Sequence, residues 1–296
     1  VTKDTPSGDD LFKEPKKNAP PPPWIRGILL ITCTLVSFFH GQNDGQKGVG
    51  LVMLILIGIV PGYFALNGKM ETSSMISPLK KIEVHINAID SSTLAQSDRI
   101  KLAESLKMNQ RLQQQFTTNE NLEEIPKEKR FDVRKDLLVM NRNITGLLKK
   151  EEVRMSDKDK DSMKGSLKSL RKATDYSPGW VIVMISLSLG CGTMIGWKRI
   201  VKTIGEKIGK QHLTYAQGAS AELVAASTIG LSSYYGLPVS TTHVLSSGIA
   251  GSMVASKGIK NLQPDTVRNI LIAWLLTLPV VMVMSGSLFL LFRTIF

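Results

Sequence analysis

The chain has 296 residues and a formal net charge of +12, from 37 Lys and Arg against 25 Asp and Glu. Its mean hydropathy of +0.03 averages two opposites, long apolar runs near both ends and a highly charged block between them. The basic residues are scattered through that block and the flanks of the apolar runs, so no concentrated nucleic-acid-binding face is expected. No nucleophile–base arrangement or phosphate-loop motif is present either, so no catalytic residue is assigned and the chain is not read as an enzyme.

The chain begins at Val1, not Met, and is expected to be a fragment or a processed chain. Residues 1–23 are polar and end in the run Pro20 to Pro23, which predicts a disordered linker with no signal peptide. Lys13, Lys16, Lys17 and Arg26 favour a cytoplasmic side for it. The membrane segment that follows, residues 24–66, is too long for one straight crossing of about 20 residues. It is interrupted by His40-Gly41-Gln42-Asn43-Asp44-Gly45-Gln46-Lys47-Gly48. An Asp and a Lys between apolar runs are costly at membrane depth; the length fits two full crossings or one broken one, and the odd number that the later flanking charges require favours one crossing unwound over Gly41 to Gly48.

Residues 67–177 are soluble in composition. Apolar positions recur at helical spacing: Ile82, Ile86 and Ile89; Leu102, Leu106, Leu112 and Phe116; Leu137, Leu138, Ile144, Leu147 and Leu148. A bundle of about 3–5 helices is expected here. Asp157 to Asp161 resembles the start of a calcium loop, but Ser162 and Lys168 stand where Gly and Glu are needed, so a charged helix start is the stronger reading. His85 is given no role.

Residues 178–296 return to the membrane. The span from Trp180 ends at Trp197-Lys198-Arg199-Ile200-Val201-Lys202, which marks the cytoplasmic side and makes the 67–177 insert periplasmic by parity. Lys198 to Gln211 suits the anionic inner face of a bilayer. Tyr215 to Val254 then reads as a hairpin meeting near Tyr234 to Pro238, and Glu222 in its first arm is a lone carboxylate among apolar residues. After the turn comes Gly236-Leu237-Pro238-Val239-Ser240-Thr241-Thr242-His243. Pro238 fits the first turn of a helix, which places Ser240, Thr241 and Thr242 near a helix start that attracts anions. Asn269 to Phe292 is the last span. The two cysteines, Cys33 and Cys191, fall in apolar runs and read as small buried residues, not as a disulfide or metal pair.

Two polar interruptions of this kind point to a secondary transporter. Gly41-Gln42-Asn43-Asp44 resembles the Gly-x-Asn-Asp signature of the inorganic phosphate transporter (Pit) family, and Gly236 to His243 resembles its second hallmark. The continuation Gln46-Lys47-Gly48 is similar to bacterial low-affinity permeases. The resemblance implies an all-α polytopic membrane protein of the bacterial inner membrane, with a broken helix and a helical hairpin forming one repeat of an inverted-repeat transporter, plus an inserted soluble bundle. Family members carry each hallmark twice, so the resemblance also implies a partner, a missing N-terminal repeat.

The implied function is symport of inorganic phosphate. Asn43, Ser240, Thr241 and Thr242 would offer neutral donors to the anion and Lys47 a cation. Asp44, Glu222 and His243 would serve coupling. Lys47 stands where the common signature has Asn, which weakens sodium coupling and favours protons. His243 has an imidazole's range for proton exchange. No cofactor and no resident metal are expected; bacterial members imply that phosphate travels as a neutral complex with a divalent metal. Two other readings stay open, a membrane-anchored periplasmic helical sensor or scaffold and a transporter of another ion. The first leaves both polar interruptions unexplained, and few carboxylates or histidines in the spans suit a bare metal.

Overall fold

The structure is a computed structural model that describes residues 8–15, 20–153, 155–195 and 197–295. The described residues contain no strand. They form helices α1 (Pro23–Ile59), α2 (Pro61–Phe64), α3 (Ser73–Asn87), α4 (Gln96–Thr118), α5 (Lys127–Leu147), α6 (Asp157–Arg171), α7 (Gly179–Met194), α8 (Trp197–Lys207), α9 (Tyr215–Tyr234), α10 (Thr241–Lys257) and α11 (Pro264–Ile295). Two compact units emerge, one of Val1–Gly48 with Met184–Phe296 and one of Val49–Val183. The second is wider than the expected 67–177 insert, since it takes in the last turns of α1 and the first of α7.

The Val49–Val183 unit is built on four amphipathic helices. Buried positions alternate by four and three: Met75, Leu79, Ile82 and Ile86 on α3, and Val133, Leu137, Met140, Ile144 and Leu147 on α5. This spacing keeps one stripe facing the core, as in a bundle. On α4 the same stripe includes polar members, Asp98, Ser105 and Asn109, among Leu102, Leu112 and Phe116. Each of these three finds a partner, as burial demands, Ser105 Oγ donating to the Lys101 carbonyl at 2.7 Å. Asn109 Nδ2 donates to the Leu79 carbonyl at 3.0 Å, and Asp98 accepts from Lys101 at 3.2 Å and from Lys150. Leu138, expected with the core positions, is instead 38% exposed.

Two arginines on α5 tie the chain entering and leaving this unit to its core. Arg130 donates to the carbonyls of Gly62 at 2.7 Å, Ile125 at 2.9 Å and Glu123. Arg134 donates to Ala65 at 2.9 Å and Thr174 at 2.8 Å, while Asn67 N donates to the Ala173 carbonyl at 2.9 Å. The Asp157 to Asp161 stretch is the first part of α6, capped by Ser156, whose hydroxyl accepts from Asp159 N at 3.2 Å. The helix-start reading therefore holds. Acidic residues in that turn and Lys168 and Arg171 in the last complement the helix dipole.

In the other unit, α9 and α10 form a hairpin. Thr214 and Gln217 make a reciprocal capping box at its start. The arms pack through small residues; Gly248 lies so close to α9 that an added Cβ would meet the Ala221 carbonyl at 3.3 Å. Gly236 (φ 70°) turns the chain between the arms, a conformation that costs any residue with a Cβ. Among the described residues α1 and α11 are long and apolar enough to cross a membrane, and none of the most apolar window of α11 is buried.

Several expectations are corrected. Gly41 to Gly48 is not unwound: α1 runs through it as one helix of 37 residues, about 55 Å long. An intact helix satisfies its own backbone, so only the polar side chains need partners. The irregular backbone falls between α9 and α10 instead. Pro238 precedes Ser240, the N-cap of α10, and so lies outside the first turn. Cys33 on α1 and Cys191 on α7 are exposed, not buried. Within the expected linker, Gly8–Phe12 forms a 3-10 helix; Lys16, Lys17 and Ala19 lie outside the described residues.

Candidate functional site

On α1 the residues Thr32, His40, Asn43, Asp44 and Lys47 share an arc of roughly 120° at 100° per residue. That stripe faces the α9–α10 hairpin. At its upper end Asn43, only 2% exposed, donates from Nδ2 to Ser233 Oγ at 3.0 Å near the end of α9. Its Oδ1 is buried and accepts no hydrogen bond.

Asp44 sits between an imidazole and an ammonium side chain of its own helix. His40 Nε2 lies 2.9 Å from Asp44 Oδ2, and Lys47 Nζ lies 3.0 Å from Oδ1. The spacings i,i+4 and i,i+3 place these groups one turn above and below the carboxylate. Lys47 Nζ also donates to the Val239 carbonyl in the turn before α10. Thr241, buried at the first position of α10, points its Oγ1 at Asp44 Oδ2 across 3.5 Å. Thus α1 supplies charge, and the hairpin supplies a backbone carbonyl, a hydroxyl and a helix N-terminus. The cluster stays partly open, with the Asp44 side chain 27% and that of Lys47 38% exposed.

The remaining expected residues divide. Ser240 is the cap: its Oγ accepts from His243 N at 3.4 Å. That leaves the first-turn N–H groups of α10 at Thr241 and Thr242 without intrahelical partners, as at any helix start. Thr242 itself is exposed. His243 turns from the cluster and lies against Trp274 of α11, with ring centroids 4.0 Å apart. Glu222 belongs to a second polar contact lower on the stripe, where it accepts from Thr32 Oγ1 at 2.5 Å and from Cys33 Sγ at 3.0 Å. Among the described residues no group of three or more His, Cys, Asp or Glu is placed to hold a metal ion.

Several partners are absent from the sequence-based set, His40, Thr32 and Ser233 among them. His40 had a signal, its i,i+4 spacing from Asp44. Thr32 lies on the same helical stripe as Asn43. Ser233 carries no motif and is reached only through the packing of α9 on α1.

A family model described as the phosphate transporter family matches residues 8–285. The low-affinity inorganic phosphate transporter of Buchnera aphidicola subsp. Acyrthosiphon pisum (strain APS) is 40% identical over 282 residues, covering 91% of this chain and 57% of the relative. The low-affinity inorganic phosphate transporter PitA of Escherichia coli (strain K12) is 38% identical over 299 residues, 94% of this chain and 59% of the relative. The chain therefore spans under three-fifths of the length of these relatives. A probable low-affinity inorganic phosphate transporter of Bacillus subtilis (strain 168) is 36% identical over 128 residues, 43% of this chain and 38% of the relative. No solved structure matches the chain.

Proposed function

The chain belongs to the phosphate transporter family, and from that premise we propose that it carries inorganic phosphate across a membrane, binding the anion where Lys47 of α1 meets the start of α10. The observation that supports this reading is the meeting of Lys47, Asp44 and Thr241 at one helix N-terminus. Helix N-termini and ammonium groups both favour anions. Thr241 and the first N–H groups of α10 act as donors, together with the exposed Thr242 and the Ser240 hydroxyl. Asn43 Oδ1, buried and unpartnered, suits the one donor that hydrogen phosphate carries, its own O–H.

In this reading Asp44 is the coupling group. A carboxylate beside an anion is unfavourable unless a proton or cation accompanies the substrate. Lys47 already occupies one side of Asp44, which favours a proton. Glu222 and His243 are further coupling candidates away from the anion. The substrate includes neutral complexes of phosphate with a divalent metal. A second repeat bearing the other copy of each hallmark completes the path, the protein lies in a bacterial inner membrane as a multi-pass chain, and the 67–177 insert is periplasmic.

Uptake of radiolabelled phosphate in a strain lacking phosphate uptake tests the reading, with the chain expressed alone and beside a companion repeat. Uptake is expected with the companion. Asp44→Asn should abolish coupled uptake, and Thr242→Ala should mainly weaken apparent affinity. No phosphate uptake in either form would refute the reading.

A further inference from the structure

We infer that His40 carries the proton that travels with the anion, through its contact with Asp44; this rests on the phosphate reading above. His40 Nε2 lies 2.9 Å from Asp44 Oδ2, and its side chain is 43% exposed. Lys47 holds the other oxygen of the same carboxylate at 3.0 Å. The charges facing His40 are therefore few. Asp44 and Lys47 stand on its own helix, and the hairpin turns only neutral groups to the cluster, Thr241 and the Val239 carbonyl. The one carboxylate and the one imidazole of the hairpin are engaged elsewhere, Glu222 with Thr32 and Cys33, His243 against Trp274.

Charge counting then sets the linkage. With His40 neutral, Asp44 and Lys47 cancel and the cluster has no net charge. With His40 protonated, the cluster is positive by one and its carboxylate is fully compensated. Phosphate binds the protonated form better, and by reciprocity bound phosphate draws a proton onto His40. Imidazole is the side chain whose ordinary proton exchange falls between pH 5 and 8. Protonation favours binding, so affinity falls as rising pH removes the proton. One unit charge a few ångströms from the anion, partly exposed to solvent, is worth on the order of tenfold.

The test uses proteoliposomes of whichever form, alone or with a companion repeat, takes up phosphate in the assay above. Wild type, His40→Gln and His40→Lys are compared for phosphate affinity between pH 5.5 and 8.5 and for protons moved per phosphate. Phosphate's own titration is common to all three, so differences belong to the protein. His40→Gln should bind more weakly at pH 6, lose the protein's part of the pH dependence and move fewer protons per phosphate. His40→Lys should keep at pH 8 the affinity that wild type loses by about tenfold, again with fewer protons moved. Equal proton counts and pH profiles in wild type and His40→Gln would overturn the inference while leaving the phosphate reading intact. Absence of phosphate uptake in every form would remove both.

Discussion

Asn43 Nδ2 lies 3.0 Å from Ser233 Oγ, joining the middle of α1 to the last turn of α9 across 190 residues of sequence. This bond sits one helical turn from the Lys47 contact with the α9–α10 turn, so it sets the register in which Asp44 meets Thr241. Asn43→Ala removes both the donor and the unpartnered acceptor. Ser233→Ala removes the acceptor of the Nδ2 bond alone and leaves a buried donor unsatisfied, at about 1–3 kcal/mol. Expected thermal shifts are therefore destabilising for both variants, with phosphate affinity reduced more by Asn43→Ala. Equal affinities in the two variants would count against a direct role for Oδ1.

Close approach of α1 to α9 is testable by size. A Cβ at Gly230 would meet Phe39 ring atoms at 2.9, 3.0 and 3.2 Å. Gly230→Ala should destabilise by roughly 1–3 kcal/mol, the usual range for overpacking. Trimming the ring with Phe39→Leu in the same protein should recover much of that loss. Additive losses in the double variant would show that the two helices do not pack there.

The insert has its own pH signature. The hydrogen bond from the Lys150 ammonium, opposed by burial and aided by Lys101, holds the Asp98 carboxyl below the usual carboxylate range. A lowered folded value means the stabilisation is complete above the ordinary value of about 4 and is lost as pH falls through the folded value. Lys150 is shifted upward by the same hydrogen bond, so its share is complete below the ordinary lysine value and fades only above the raised one. Asp98→Asn should lower the melting temperature of the insert at pH 7, with the gap to wild type shrinking toward pH 3. A gap that grows on acidification would contradict the pairing.

Much of this architecture was legible beforehand, and the failures have physical causes. The two polar interruptions were visible because charge and hydroxyls are rare between apolar runs. Their backbone was not: glycines at 41, 45 and 48 suggested an unwound segment, yet α1 stays helical because paired side chains meet its polar demands. The true irregular turn was marked by Gly236 and Pro238, with the helix starting later than the proline suggested. In the insert, α4 kept a strict core stripe through Asp98, Ser105 and Asn109, which an apolar-only pattern skips. Leu138 was misplaced because it adjoins Leu137, and neighbours on a helix face different directions. Ser233 was unreachable, since its role exists only through packing.

The proposed topology rests on charge at the flanks of the spans. A single cysteine at Ser91, an exposed position, is predicted to react with an impermeant thiol reagent in intact cells. Cys33 and Cys191 are themselves exposed, so both are first replaced by Ser. Labelling only after lysis would place the insert in the cytoplasm and reverse every crossing assigned here.

Phosphate is proposed to meet Lys47 at the start of α10. The most direct measurement is the concentration dependence of phosphate uptake for wild type, Lys47→Gln and Lys81→Gln, the last an exposed lysine on α3. Losing one hydrogen bond to a charged group is worth roughly 1.5–3 kcal/mol, or about ten- to a hundred-fold in affinity. Lys47→Gln should weaken apparent phosphate affinity by that factor, with Lys81→Gln matching wild type. Wild-type affinity in Lys47→Gln would contradict the account.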